Sequence, residues 1–167
     1  MLINGLKFDL RIYALVAGCD PLRIFLFKDG LVRFATEGYE EVTEGNKGNL
    51  FKHLTNFAIN KNNPEFISSS EKTENRDSHK RSVLDFFDQI EGYEGIKTKK
   101  IWKKIKGIVV KTLISIEPLL KKDSYCQMDD PYNQGCFEIL GFDILIDKDH
   151  KPVLLEVNHN PSLVTGS

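Results

Sequence analysis

The sequence predicts an α+β fold with a mostly antiparallel sheet and packed helices. Lys7 to Ala17 alternates between apolar and polar residues, which is typical of a half-buried strand. Thr98 to Leu120 carries its apolar residues on one stripe, which predicts an amphipathic helix. Two further strands, Cys136 to Ile146 and Lys151 to Val157, are predicted after that helix. The element order is therefore mainly β, then α, then β.

Length and composition narrow the class of protein. The 167 residues suffice for one domain with a real core. The net charge of −1 creates no global field that would favour nucleic acid or a membrane surface. No run of roughly 18 apolar residues occurs, so we expect no membrane insertion. Cys19, Cys126 and Cys136 make neither a zinc pattern nor a closed disulfide set, which favours a reducing cytosol.

The first strand is predicted to continue into a hairpin. Asp20-Pro21 marks a turn. Leu22 to Lys28 and Leu31 to Ala35 are predicted to pair around Asp29-Gly30, because Asp-Gly is a strong hairpin signal.

The middle of the chain is less regular. Thr36 to Leu50 predicts a loop, and Phe51 to Asn60 predicts a short ordered piece whose type stays open. Residues 62–81 are polar and cannot bury enough apolar surface to offset their ordering entropy, so we expect a mobile loop. Ser82 is expected to begin a short helix. Pro118 should bend or end the long helix, and the residues from Lys122 to Gly135 predict another loop.

The last two strands contain two acids that are predicted to face each other. With Asp149-His150 as a two-residue turn, Asp143 lies directly opposite Glu156, and Asn158 shares the face of Glu156. Like charges in that position destabilise a sheet. A hard cation such as Mg²⁺ would explain them, since carboxylate and amide oxygens are its ligands. The alternative is two edge acids that point into solvent.

The first strand also carries a charged face. Lys7, Asp9 and Arg11 share it, and they suit phosphate oxygens and sugar hydroxyls. The alternative is a cross-strand ion network. Arg33 could reach the same face. The alternative interpretation of Arg33 is a charged side chain in solvent at the rim of the sheet. His53 to Asn56 could contact a nucleotide, position a reacting group or serve as a turn cap.

Six lysines between Lys97 and Lys106 form a basic run on the long helix. They predict either a solvated helix face or attraction to a polyanion or an acidic protein segment. The chain has no glycine-rich phosphate loop of either common type. If it binds ATP, it would do so from strands and side chains.

Six motifs in order resemble the tubulin tyrosine ligase-like family, and within it the polyglutamylases. These motifs are Lys7 to Arg11, Cys19 to Phe25, Arg33 to Thr36, His53 to Asn56, Cys136 to Leu145, and Leu154 to Asn158. The similarity runs from Gly5 to Ser162. One motif alone is weakly specific, but six in order are highly specific.

The resemblance implies an ATP-grasp-like fold. Residues 1–167 would be the central and C-terminal part of the catalytic domain, with the N-terminal lobe missing and 62–81 as a mobile loop. The implied enzyme uses ATP and Mg²⁺ to add L-glutamate to glutamate side chains of tubulin C-terminal tails, through an acyl phosphate. Its partners would be microtubule tails and free glutamate, without nucleic acid or membrane insertion. The implied location is cytoplasmic, on the cytoskeleton, with the cilium or basal body as one candidate place.

The resemblance also implies roles for single residues. The implied catalytic residues are Arg11 and Glu156. The implied nucleotide contacts are Lys7, Phe8, Asp9, Thr55 and Asn56. The implied magnesium ligands are Asp143, Glu156 and Asn158. The implied glutamate contacts are Arg33, Phe57, Ala58 and Lys80.

Two of these positions depart from the family pattern. Phe57 and Ala58 stand where related glutamylases often have Tyr and Ser, so two polar contacts to the amino acid would be missing. The alternative function is a non-catalytic fragment or pseudoenzyme module that binds acidic tubulin tails.

Overall fold

The computed structural model describes residues 1–68, 78–93, 95–127 and 137–163. The predicted α+β arrangement, a mostly antiparallel sheet with packed helices, is confirmed. Within the described ranges the elements are β1 Phe8–Cys19, β2 Leu22–Phe34, α1 Leu50–His53, α2 Phe57–Asn60, β3 Lys80–Ser82, α3 Val83–Ile90, α4 Thr98–Gln127, β4 Glu138–Ile146 and β5 Pro152–His159.

The five strands form one sheet in the order β3-β2-β1-β4-β5, and every neighbouring pair is antiparallel. β1 lies in the centre, between β2 and β4. Its alternation therefore sorts residues onto two sheet faces. Leu10 and Ile12 are buried on one face, while Asp9 and Arg11 lie on the other, next to residues from distant parts of the chain.

The apolar face of the sheet is covered by α3 and α4. Ser82 caps α3, since its Oγ accepts a hydrogen bond from Asp85 N at 3.3 Å. From α3, Phe86 packs against Phe8 and Phe34 of the sheet, with ring centroids 5.0 and 5.9 Å apart. The buried stripe of α4 has helical spacing and consists of Ile101, Ile105, Val109 and Leu113. Helices and sheet thus share one core.

The predicted hairpin around Asp29-Gly30 is wrong. β2 runs unbroken through both residues, and the chain turns instead at Asp20-Pro21, as predicted there. Gly30 lies where a strand passes close by, because a Cβ at this position would stand 2.4 Å from the Arg11 carbonyl oxygen. The register against β1 shifts beside it, between Ile12 and Ala14, so the glycine marks a bulge.

The β4–β5 hairpin has the predicted pair but a different turn. The Asp147 N–H donates to Lys151 O at 3.0 Å, so the loop contains three residues rather than the two of Asp149-His150. This loop needs one left-handed residue, and His150 supplies it with φ of 55°. Asp143 pairs with Glu156 while Ile144 pairs with Leu154, which leaves an extra residue in β5. That bulge offsets the longer turn and restores the predicted register.

Two loop predictions also change. α4 continues past Pro118 to Gln127, so the predicted loop does not begin at Lys122. Proline removes only one backbone donor, and the helix continues beyond it. Lys80 and Arg81, the end of the predicted loop 62–81, pair with β2. Residues 69–77 of that loop, the remainder of the second loop and Cys136 lie outside the described residues. No helix among the described residues combines the length and apolar character needed to cross a membrane.

Candidate functional site

The polar face of the sheet and the loop around Thr55 enclose a cleft of about 220 Å³. Its lining residues are Lys7, Asp9, Arg33, His53, Leu54, Thr55, Asn56, Asp143, Leu145, Leu155 and Glu156. Residues predicted from five separated motifs therefore meet in one place. They come from β1 and the residue before it, from β2, β4 and β5, and from the end of α1 with the loop that connects it to α2.

A buried ion network forms the floor of this cleft. Asp9 lies opposite Arg33, and Arg11 lies opposite Asp143, in the strand pairings that flank β1. Arg33 joins both acids, since its Nη2 contacts Asp9 and lies 2.8 Å from Asp143 Oδ2. Arg11 Nη2 donates to Asp143 Oδ2 at 2.9 Å, and Arg11 Nε contacts Oδ1. The cross-strand ion network considered from sequence is present, and the solvated rim charge is wrong for Arg33.

The network keeps its members charged although they are buried. Asp9 and Asp143 are 2% and 3% exposed. Burial alone would raise the pKa of Asp143, but hydrogen bonds from Arg11 and the charge of Arg33 outweigh it, so this pKa lies below its ordinary value. Burial likewise opposes the charge on Arg33, yet the hydrogen bond and charge of Asp9, with help from Asp143, raise its pKa. Asp143 and Arg33 are therefore ionised at neutral pH.

The three predicted metal ligands are in contact with one another. Asn158 Nδ2 lies 3.1 Å from Glu156 Oε1 and 3.4 Å from Asp143 Oδ2. Asp143 is buried as a member of the ion network, whereas Glu156 is exposed on the open side of the cleft. The solvent-facing alternative is wrong for Asp143.

Carboxylate and amide oxygens suit Mg²⁺, which is usually bound by one or two carboxylates together with phosphate oxygens. A half-turn of the Asn158 amide would bring its Oδ1 to the two carboxylates. Across the part of the chain that the structure describes, no group of three or more His, Cys, Asp or Glu side chains could hold a metal ion. Asp143 and Glu156 would thus need Asn158 and ligand oxygens to complete the coordination.

The loop wall of the cleft is held by a residue that the sequence did not single out. Asn60 is 1% exposed, and its Oδ1 accepts from Thr36 N at 3.0 Å and Thr36 Oγ1 at 2.9 Å. Its Nδ2 donates to Leu54 O at 2.8 Å and Asn56 O at 3.1 Å. This buried amide uses its full hydrogen-bonding capacity to fix the loop against the end of β2. No local sequence signal identifies that role.

Lys7 and Asn56 lie at this wall, and each has a polar group that could bind a ligand. Lys7 Nζ donates to His53 O at 2.7 Å, which holds the ammonium at the cleft. Asn56 is the N-cap residue of α2, but its side chain makes no capping hydrogen bond. The turn-cap alternative therefore does not account for the Asn56 side chain.

A second missed residue is Gly141 of β4. A Cβ there would stand 2.8 Å from Pro161 Cβ and 3.0 Å from Arg11 Cδ. The glycine gives Arg11 room to cross β4 and reach Asp143. A glycine inside an apolar strand is a known sign of close approach, so the sequence contained a signal for this position.

Phe8, Ala58 and Lys80, three other predicted site residues, are not among the residues that line the cleft. Phe8 is 1% exposed in the core, so its side chain faces away and only its backbone is near. Ala58 is exposed and lines a different cavity. Lys80 is buried, with its Nζ 5.0 Å from the Phe57 ring centroid, and burial lowers its pKa.

Comparisons with known proteins show the family to which this chain belongs. The model of the family described as the tubulin-tyrosine ligase family matches residues 1–167. The chain belongs to this family. The resemblance inferred from the six motifs is thereby confirmed, and the cleft is that of a tubulin-tyrosine ligase family member.

Several curated members of the family are similar to this chain. A probable beta-tubulin polyglutamylase of Tetrahymena thermophila is 50% identical in an alignment of 167 positions, which covers 99% of this chain and 14% of that protein. Tubulin polyglutamylase TTLL7 of Homo sapiens is 47% identical over 98% of this chain and 18% of its own length. Tubulin polyglutamylase TTLL6 of Mus musculus is 43% identical over 99% and 20%. The chain thus spans a fifth or less of these relatives.

Proposed function

We propose that this chain is part of an ATP-dependent ligase that adds L-glutamate to glutamate side chains of tubulin C-terminal tails. The observation that carries the proposal is the contact of Asp143, Glu156 and Asn158 beside two buried arginines, in a member of the tubulin-tyrosine ligase family. The names of the similar proteins, all tubulin polyglutamylases, support the choice of substrate.

Residues 1–167 would be the central and C-terminal part of an ATP-grasp catalytic domain, and 62–81 its mobile loop. The partners would be free glutamate and microtubule tails, with no nucleic acid and no membrane insertion. The protein would work in the cytoplasm, on the cytoskeleton, and the cilium or basal body is one candidate place. The near-neutral net charge of −1 agrees with a substrate-specific site rather than a general polyanion surface.

The nucleotide would be held by the strand face and the loop wall. The residues assigned to it are Lys7, Phe8, Asp9, Thr55 and Asn56. Lys7 supplies a positive charge that is already held at the cleft by His53 O. Phe8 can contribute through its backbone, because its side chain lies in the core. Asn56 offers an amide side chain without a capping partner.

Asp143, Glu156 and Asn158 would hold Mg²⁺, which when bound neutralises charge on transferring phosphate groups. Arg11 would bind phosphate oxygens with its planar fork, and Glu156 would act with it in catalysis. The acceptor carboxylate would take the γ-phosphoryl group of ATP, which leaves ADP. The amine of the incoming glutamate would then attack the resulting acyl phosphate and release inorganic phosphate and a proton.

Arg33, Phe57, Ala58 and Lys80 are the proposed glutamate contacts. Arg33 lines the cleft, and Lys80 lies beside it in β3, since the two residues are paired across strands. Phe57 and Ala58 would supply only apolar or backbone contact. Arg33 and Lys80 would bind a carboxylate well. Without the hydroxyl groups of Tyr and Ser, the site would discriminate less strictly between amino acids.

The test is glutamylation of a tubulin-tail peptide by the full-length gene product, followed by mass spectrometry. Glu156→Gln should abolish transfer, because the amide removes a negative charge from the proposed metal site. The exposed position of Glu156 means that the fold should barely change, which circular dichroism checks. Glutamylation at the wild-type rate by this variant would contradict the proposal.

The basic helix supports a second candidate, a non-catalytic module that binds acidic tubulin tails. The lysines at 97, 99, 100, 103, 104 and 106 are all exposed. None of them forms a salt bridge within the described residues. α4 packs on the apolar face of the sheet, so these lysines lie on the side away from the cleft. Tail binding that survives Glu156→Gln but not charge reversal at Lys103 and Lys104 would favour this module.

A further inference from the structure

Both oxygens of Asp143 are occupied by arginine side chains. Arg11 Nε contacts Oδ1, while Arg11 Nη2 and Arg33 Nη2 lie 2.9 and 2.8 Å from Oδ2. Asn158 Nδ2 approaches Oδ2 at 3.4 Å. A carboxylate has about four lone-pair positions, and here most of them face cationic donors. A divalent cation bound by Asp143 would therefore have to replace at least one guanidinium group.

The two arginines are not equally easy to replace. Arg33 is held between two buried acids, because it also binds Asp9 through Nε at 3.0 Å and through Nη2. The carboxylate that Arg11 contacts is Asp143. The Arg11 side chain is also slightly more exposed, at 14% against 11% for Arg33. Arg11 is thus the partner that Asp143 can exchange.

The charges around the cleft are already balanced. Lys7, Arg11 and Arg33 carry three positive charges, and Asp9, Asp143 and Glu156 carry three negative charges, which sum to zero. A divalent cation alone would leave an excess of two positive charges in a partly buried site, which is unfavourable. An anion that binds with the cation would restore the balance and give the displaced guanidinium a new partner.

We propose that cation binding at Asp143 is linked to anion binding through Arg11, which is the counter-ion of Asp143 until an anion takes up its guanidinium. This proposal rests on the proposed function in taking Asp143, Glu156 and Asn158 as metal ligands. The anion is of the phosphate class, which matches the planar fork of arginine. Because linkage is reciprocal, the cation raises the affinity for the anion by the same factor.

The test measures Mn²⁺ binding to the protein from the free Mn²⁺ signal in electron paramagnetic resonance, with and without inorganic phosphate. Reading free Mn²⁺ directly accounts for metal bound by phosphate in solution. In the wild type, phosphate should raise Mn²⁺ affinity on the order of tenfold, which is within the usual range of coupling between sites. Arg11→Gln should bind Mn²⁺ more tightly than the wild type without phosphate, and phosphate should no longer increase that affinity.

Three further variants sharpen the measurement. Arg23→Gln removes an arginine outside the cleft, which bonds to Ala17 O, and should behave as the wild type. Arg11→Lys keeps the charge without the fork and should fall between the wild type and Arg11→Gln. If Arg11→Gln fails to fold, Arg11→Lys carries the test. Asp143→Asn should lose Mn²⁺ binding under both conditions.

The linkage is overturned if removing the Arg11 fork leaves Mn²⁺ affinity without phosphate unchanged or lower. It is also overturned if phosphate raises the Mn²⁺ affinity of the wild type and of the Arg11 variants equally. Failure of the wild type and of both Arg11 variants to bind Mn²⁺ would overturn it as well. Glutamate transfer by the full-length protein is a separate readout. Intact transfer without linkage would reject only the linkage, whereas linkage without transfer would reject only the ligase proposal.

Discussion

Side chains on the two faces of β1 are buried to a similar extent, but different interactions stabilise them. Leu10 is 0% exposed and Asp9 is 2% exposed, although they are neighbours in sequence. Leu10 and Ile12 are buried by packing against the helices, where each contact contributes separately. Asp9 is buried because Arg33 balances its charge. Charges that depend on one another in this way form a coupled set, in which the loss of one member leaves another buried and unpaired.

The largest predicted effect breaks that coupling. Arg33→Leu should reduce the free energy of unfolding by about 3–5 kcal/mol, because Asp9 keeps a buried charge without a partner. The double variant Asp9→Leu/Arg33→Leu should recover much of this loss, since a buried ion pair can often be replaced by apolar residues. Urea unfolding at neutral pH measures both.

The apolar face supplies the matched control. Leu10→Ala should cost about 2–5 kcal/mol, and adding Ile144→Ala, its partner across the strands, should give no recovery. If the interaction free energies from the double-mutant cycles of the two pairs were equal, the polar face would not be a coupled set.

The apolar face could be predicted from the sequence, whereas an ion network on the charged face could be considered as an alternative but its partners could not be assigned. The alternation in β1 and the stripe in α4 are local patterns, and both are buried as expected. The Arg11–Asp143 contact depends on β1 lying beside β4, which is set by the order of strands in the sheet. No local pattern in one sequence determines that order.

Turn signals failed for a related reason. The Asp-Gly signal at Gly30 was overridden by the approach of the Arg11 carbonyl and by continued pairing of β2 with β1. Asp29 instead accepts hydrogen bonds from Ser82 Oγ and Leu84 N at the start of α3, both at 3.0 Å. The Asp143–Glu156 pair was predicted correctly although the turn was not, because a bulge in β5 offsets the longer loop. Tertiary contacts decided each of these cases.

Gly141→Ala should disturb the polar face without removing a charge. The added Cβ meets Pro161 at 2.8 Å and the Arg11 side chain at 3.0 Å, so Arg11 must move relative to Asp143. We expect a loss of about 1–3 kcal/mol in the free energy of unfolding, as for other overpacked sites. Gly38→Ala, where a Cβ meets nothing within 4 Å, is the control in the same urea titration. Similar small losses in both variants would argue against a role for Gly141 in seating Arg11.

The polar face should also make stability depend on acid pH. The pKa of Asp143 is lowered from 3.8, so the folded state holds this proton less readily than the unfolded chain. Its stabilising contribution is therefore present above about pH 4 and is lost as pH falls towards the folded-state pKa, with a slope of up to about 1.4 kcal/mol per pH unit. Asp143→Asn should show a shallower fall over that interval, whereas Ile12→Val should shift the curve by a constant amount. Parallel curves for wild type and Asp143→Asn in acid urea titrations would reject this contribution.

The smallest effect should have the opposite sign and lies in the helix that covers the apolar face. Gly107 is inside α4, and a Cβ there meets nothing within 4 Å. Glycine inside a helix is less favourable than alanine by about 0.5–1 kcal/mol, chiefly through backbone entropy. Gly107→Ala should therefore raise the midpoint of urea unfolding, while Gly141→Ala lowers it. Gly107, on the apolar side, would then be replaceable, whereas Gly141 is needed to leave room for the Arg11 side chain. A loss of stability in both variants would contradict this difference between the two faces.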